Sequence, residues 1–170
     1  MEELTFCPKC GEKTLQWNGD KKLSCTACTF SLYHNVAGAV AVIIRCEDEI
    51  FMTKRNRNPQ KGKLDLAGGF VDPKESAEET CGRELKEELN IDIDINNLHY
   101  LGSNPNTYFY NEIDYNTIDL FYEYRIAEKF NYKLELSEIE DGLWIKLSDL
   151  NLDEFAFESQ RKFFQEKYRF

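Results

Sequence analysis

Two Cys-x-x-Cys pairs, Cys7-Pro-Lys-Cys10 and Cys25-Thr-Ala-Cys28, stand 14 residues apart near the start of this 170-residue chain. No other feature restricts the local fold so tightly. A tetrahedral zinc site needs four thiolates aimed at one point, and two tight turns with two thiolates each supply them. Gly11, directly after the first pair, lets the backbone curl under the metal. Two disulfides would close only very short loops, and nothing argues for an oxidising compartment, because the acidic Met1-Glu2-Glu3-Leu4 does not read as a signal peptide. A redox dithiol would sit in a βαβ pattern, which surrounds neither pair. The expectation is a small zinc ribbon over residues 1–34, with Cys7, Cys10, Cys25 and Cys28 holding a structural Zn²⁺. Cys46 and Cys81 stand singly in apolar-leaning segments.

Residues 35–170 have a different texture. A continuous apolar run over 36–44 reads as a buried strand, followed by a turn at Glu47-Asp48-Glu49 and a partner strand over 50–55. A polar loop over 56–63 leads to Leu64-Asp-Leu-Ala-Gly-Gly-Phe-Val71. A helix is expected over about 75–89, strands near 98–101, 107–110, 118–126 and 143–147, and a last helix over about 153–168. That alternation predicts a mixed α+β domain. No apolar run approaches the roughly 20 residues of a membrane span, so a cytoplasmic protein without membrane contact is expected. Asp and Glu number 31 against 21 Lys and Arg, a net charge of −10. A field of that sign repels polyanions and argues against nucleic acid as the main partner. It leaves room for a small phosphorylated substrate, since clustered carboxylates recruit a cation that reverses the local sign.

Such a cluster lies in the first helix. Ala77, Cys81, Leu85 and Leu89 recur every four residues and make a buried stripe, and Glu84, Glu87 and Glu88 project together at its edge. Three carboxylates so close repel one another unless cations neutralise them, and oxygen donors of this kind suit Mg²⁺ or Mn²⁺. Arg83 is placed to reach Glu87 one turn on and to reach back to Glu75. Taken alone, the helix also fits an ordinary solvated surface helix rich in Glu.

The wider segment decides between the two. Gly69, Glu75, Arg83, Glu84, Leu85, Glu87, Glu88 and Ile91 fall in register with the Nudix box, Gly-x5-Glu-x7-Arg-Glu-U-x-Glu-Glu-x-Gly-U, where U is bulky and aliphatic. The chain therefore resembles the Nudix hydrolase family, and with its four-Cys ribbon it is similar to the NADH pyrophosphatase-like subgroup. One position departs: Asn90 replaces the second glycine, and Asn is the residue that best tolerates the left-handed helix stop. The subgroup's Ser-Gln-Pro-Trp-Pro-Phe-type signature is also incomplete, because Ser103-Asn-Pro105-Asn keeps the Ser and Pro but lacks the Gln and Trp.

The resemblance implies a Nudix-type mixed β-sheet sandwiched by helices. It also implies a Mg²⁺-dependent (or Mn²⁺-dependent) pyrophosphohydrolase acting on a nucleoside diphosphate linked to another moiety: a dinucleotide, ADP-ribose or a nucleotide-sugar, with NADH among them. Glu84, Glu87 and Glu88 would hold the metal with the Gly69 backbone, while Arg83 and Glu75 brace the loop. The water-activating base would be Glu87, Glu88 or a carboxylate of the loop Glu138–Asp141. Arg55, Arg57 and Lys63, ahead of the box, are candidates for the pyrophosphate, and Tyr108 and Tyr110 for stacking a ring. The resemblance is compatible with a homodimer. The alternative is a non-catalytic nucleotide-sensing or partner-binding module recruited through its ribbon.

Overall fold

The computed structural model of the chain describes residues 4–168. The chain divides into two compact units at the Val36/Ala37 junction.

The first unit is a three-stranded antiparallel sheet of β1 (Leu15–Trp17), β2 (Lys22–Cys25) and β3 (Ser31–Tyr33). Its core is Cys7, Leu15, Leu23 and Cys25, with Trp17, Cys28 and Phe30 packed against it. A unit this small cannot bury enough apolar surface to fold without a cross-link or a metal. The four Sγ atoms lie within 4.8 Å of one another, and Cys7–Cys28 and Cys10–Cys25 are each 3.7 Å apart. A tetrahedron with metal–sulfur bonds of about 2.3 Å has edges of about 3.8 Å, whereas a disulfide would need about 2 Å. The amides of Ala27 and Cys28 both point at Cys25 Sγ from 3.3 Å. The Thr14 hydroxyl beside that thiol helps hold it down to about 6. Gly11 has the positive φ, 77°, that the first turn requires. The four-cysteine cluster thus fits zinc in spacing, charge and donor type.

The second unit is a mixed sheet between two helices. Its strands are β4 (Ala37–Cys46), β5 (Glu49–Arg55), β6 (Leu64–Asp65), β7 (His99–Tyr110), β8 (Ile113–Ile126) and β9 (Ile139–Lys146), and its helices are α1 (Ala77–Leu89) and α2 (Glu158–Tyr168). The order is β6-β5-β4-β8-β7 with β9 on β5, and only β4 and β8 run parallel. Alternation along β4 sorts the core into two faces. Val40, Val42 and Ile44 meet Cys81, Leu85 and Leu89 of α1, whereas Ala41 and Ile43 join Phe121, Phe155, Phe163 and Phe164 on the α2 side. Leu85 and Leu89 are fully buried, each contributing about 1.5–3 kcal/mol. Among the described residues, no helix is long and apolar enough to cross a membrane.

Several element boundaries differ from expectation. α1 starts at Ala77 because Ser76 caps it, its hydroxyl accepting from Glu79 N–H while the Glu79 carboxylate accepts from Ser76 N–H. The segments expected near 98–101 and 107–110 form one strand, β7, which pairs with β8 throughout and takes up Gly102 at a bulge. Pro105 is tolerated there because β7 is the sheet's edge. α2 begins only at Glu158, because Phe155 and Ala156 are drawn out as backbone partners of Leu64.

Candidate active site

β4 and β5 pair over only three positions beside their hairpin. Beyond it the segment 64–71 joins the sheet, first against β5 and then against β4: Val42 N–H donates to Ala67 O at 2.9 Å, Val40 N–H to Gly69 O at 2.8 Å, and Val71 N–H to Gly38 O at 2.9 Å. Gly68 is demanded by close approach, and Gly69 leaves room for a side chain of α1. A Cβ on Gly68, at φ 148°, would collide with the Val40 carbonyl, and one on Gly69 with the Glu84 carboxylate. A cavity of about 520 Å³ opens over this seam, lined by α1 carboxylates and by Gln160 of α2.

Glu84, Glu87 and Glu88 all line it, as do Arg83 and Gly69. Their environments differ. Glu88 is 9% exposed, and its Oε2 accepts from Gly68 N–H at 3.0 Å. Burial, with the charge of Glu84 added, pushes its carboxyl well above the usual range. Glu84 is raised as well, by burial and against the opposing pull of Arg83. Glu87 is exposed and touches Arg83 Nη1 at 3.2 Å.

Arg83 ties the site together. Nε and Nη2 bind the two oxygens of Glu75 at 2.9 and 3.1 Å, Nη1 binds Glu84 at 2.8 Å, and Nη2 also reaches the Phe70 carbonyl at 3.1 Å. Its guanidinium and the Thr80 hydroxyl hold Glu75 down to about 2. Glu75 lies off the cavity wall, behind Arg83. Among the described residues, the cysteines are the only group of three or more metal-ligating side chains whose donor atoms converge within 4.8 Å. The carboxylates stand further apart, with Arg83 Nη1 bonded to both Glu84 and Glu87. Their chemistry nonetheless fits a hard divalent cation: all donors are oxygens, and Glu88 is buried with no ion-pair partner among the described residues. The Gly69 carbonyl already accepts from Val40 N–H, so only its second lone pair is free for a cation.

The other sequence-predicted residues divide. Arg55, Arg57 and Tyr108 line the cavity, Arg57 in an ion pair with Glu138 and Tyr108 edge-on to Phe70 at 5.6 Å. Lys63 turns away, its Nζ donating to the Asp153 carbonyl at 2.9 Å, and Tyr110 is exposed and off the wall. Of the acidic loop, Glu138 lines the cavity, whereas Glu140 pairs with Lys54. Asp65, Asp119, Phe157 and Gln160 on the wall went unforeseen. The two aspartates carry a legible signal, a charge inside an apolar strand (Leu64-Asp65-Leu66 and Ile118-Asp119-Leu120). Gln160 and Phe157 carry none.

A mixed sheet held between two helices, with a loop and capped helix carrying carboxylates into a cleft, defines an α+β domain with an acidic site. The chain matches the family described as NUDIX domain over residues 34–167, and it belongs to that family. It is 32% identical over 141 residues to the NAD-capped RNA hydrolase NudC of Haemophilus influenzae (strain PittGG), covering 82% of this chain and 50% of that protein. The chain thus spans about half the length of the curated relatives it matches. Among solved structures, a NUDIX hydrolase from Nitrosomonas europaea superposes with a TM-score of 0.65 at 19% identity, over 97% of this chain and 93% of that one. The NUDIX domain of Shewanella oneidensis NrtR, in complex with ADP ribose, gives 0.62 at 19% identity, over 81% and 90%.

Proposed function

We propose that this chain hydrolyses the pyrophosphate of a nucleoside diphosphate linked to another moiety, with NAD-class dinucleotides as the favoured substrates and Mg²⁺ or Mn²⁺ as cofactor. The observation that carries the reading is the buried Glu88, without an ion-pair partner among the described residues, beside Glu84 in a cavity large enough for a mononucleotide half. The NAD-capped RNA hydrolases among its relatives and the ADP-ribose complex of a structural neighbour support an ADP-containing substrate.

Glu84, Glu87 and Glu88 would hold the cation. When bound it would neutralise phosphoryl charge and lower the pKa of the attacking water. The chain's own residues do the rest. Arg83, anchored on Glu75, keeps Glu84 and the 70–75 loop in place. Arg57 also lines the cavity and is the cation offered to the diphosphate. Of the carboxylates on the cavity wall, Glu87 and Glu138 are our candidates for the base that accepts the proton of the water.

Purified protein with Mg²⁺ is expected to release nucleoside monophosphate from NADH, NAD⁺ or ADP-ribose, in a panel that also holds diadenosine polyphosphates, nucleotide-sugars, nucleoside triphosphates and NAD-capped RNA. Glu87→Gln and Glu138→Gln, assayed separately across pH, identify the base as the variant that loses the acidic limb of the rate profile. Absence of turnover across the panel, with metal shown to bind, overturns the reading.

A further inference from the structure

On the cavity wall, the residues Arg55 and Gln160 each keep one buried polar atom without a hydrogen-bond partner among the described residues: Arg55 Nη2 and Gln160 Oε1. Their residues are 9% and 4% exposed. Both side chains are locked by the same carboxylate. Asp65 accepts from Arg55 Nη1 at 2.5 Å on one oxygen, and from Gln160 Nε2 at 2.6 Å and Leu66 N–H at 2.9 Å on the other. Because both oxygens act as acceptors, Gln160 must turn its NH₂ toward Asp65, which leaves its carbonyl as the free group. Arg55 is pinned further by its Nε on the Pro59 carbonyl at 2.9 Å and by its guanidinium 5.0 Å over the Phe157 ring. Asp119, on the same wall, is closed by contrast, since Thr117, Asn106 and Ser159 occupy its two oxygens.

Buried polar groups in native proteins are almost always paired. A donor and an acceptor, each locked by Asp65 on a wall shared with Phe157 and Tyr108, therefore specify what should complete them. We propose that Arg55 and Gln160, positioned by Asp65, read the edge of a planar ring that presents an NH₂ donor beside an acceptor, an edge common to adenine (amino group and ring nitrogen) and to nicotinamide (carboxamide). The inference deepens the proposed function, resting on its assignment of a dinucleotide to this cavity, and makes Gln160 a specificity-determining residue.

Equilibrium binding by calorimetry, which requires no hydrolysis, tests it with two pairs of mononucleotides. Inosine monophosphate replaces the amino donor of adenosine monophosphate by an acceptor, and on the N1 edge also the ring acceptor by an N–H, and nicotinate mononucleotide sets a second acceptor against Gln160 Oε1. The wild-type chain is expected to separate one pair by about ten-fold or more in affinity, and that pair names the ring. Gln160→Met should bring the pair within about two-fold. Asp65→Asn, which frees Gln160 to turn its NH₂ into the cavity, should weaken or reverse the preference. It serves as the second variant should the first fail to fold by circular dichroism. Lack of discrimination by the wild type, or discrimination that survives in the folded variants, overturns the inference. Discriminating binding without turnover of any dinucleotide sinks the proposed hydrolysis alone. Turnover without discrimination sinks this inference alone.

Discussion

Glu88 carries a carboxylate into a place that disfavours its charge. Its side chain is enclosed, its one hydrogen-bond donor is Gly68 N–H, and Glu84 adds like charge. Its folded pKa lies above the unfolded one, so the ionised form destabilises the metal-free fold at neutral pH, and the penalty shrinks as pH falls through the folded value. Glu88→Gln removes the charge and keeps an oxygen for Gly68 N–H. Metal-free Glu88→Gln should therefore be more stable at pH 7 by about 1 kcal/mol or more, read as a higher urea midpoint. Its Mg²⁺-dependent turnover should fall by about 10²-fold, the scale of losing one electrostatic anchor of the transition state. A variant both less stable and fully active would show that Glu88 is an ordinary buried residue.

At the scale of elements, the decisive joint is the one between the 70–76 loop and α1. Arg83 on the second turn of the helix reaches back to Glu75, and the Thr80 hydroxyl donates to the same carboxylate at 2.8 Å. The folded pKa of Glu75 is depressed to about 2, against about 4.3 unfolded. The stability it contributes is present above the unfolded value and is lost as pH falls toward the folded one. Metal-free protein should lose stability between about pH 4.3 and about pH 2, and Glu75→Gln should flatten that part of the urea-midpoint profile. This joint was legible from the chain alone, because the Arg-to-Glu spacing and the helix stripe are local, periodic signals. The helix stop was too, since Asn90 adopts the left-handed conformation at φ 56°. Non-local pairing was not legible. Gly102, Ser103, Asn104 and Pro105 look like a break between strands, and only their partners on β8 make β7 one element. The Asp65–Gln160 contact escaped for the same reason: the two are 95 residues apart, and neither sits in a pattern that points to the other.

Across the whole molecule, the charge is divided as unevenly as the cores. The first 36 residues hold four lysines against three glutamates and one aspartate, so the net −10 resides in the second unit. That unit has two apolar clusters of its own, while the ribbon's core counts two of its four cysteines among its buried members. A unit so built would owe its folding to a bound metal, since thiolates left without a cation repel one another where the hydrophobic gain is too small to hold them. The 170-residue chain should carry one zinc per molecule by elemental analysis, and Cys10→Ser should lose most of it. Removal by a strong chelator should change the emission of Trp17, which packs on the ribbon core, and leave the main thermal transition of the second unit within a few degrees. Trp144, packed against Phe51 and Phe130 at 5.2 and 5.5 Å, reports on the second unit, so Trp17→Phe and Trp144→Phe assign each fluorescence change to its unit. A chain that purifies without zinc and still shows a folded Trp17 environment would refute the metal's structural role and leave the proposed hydrolysis untouched.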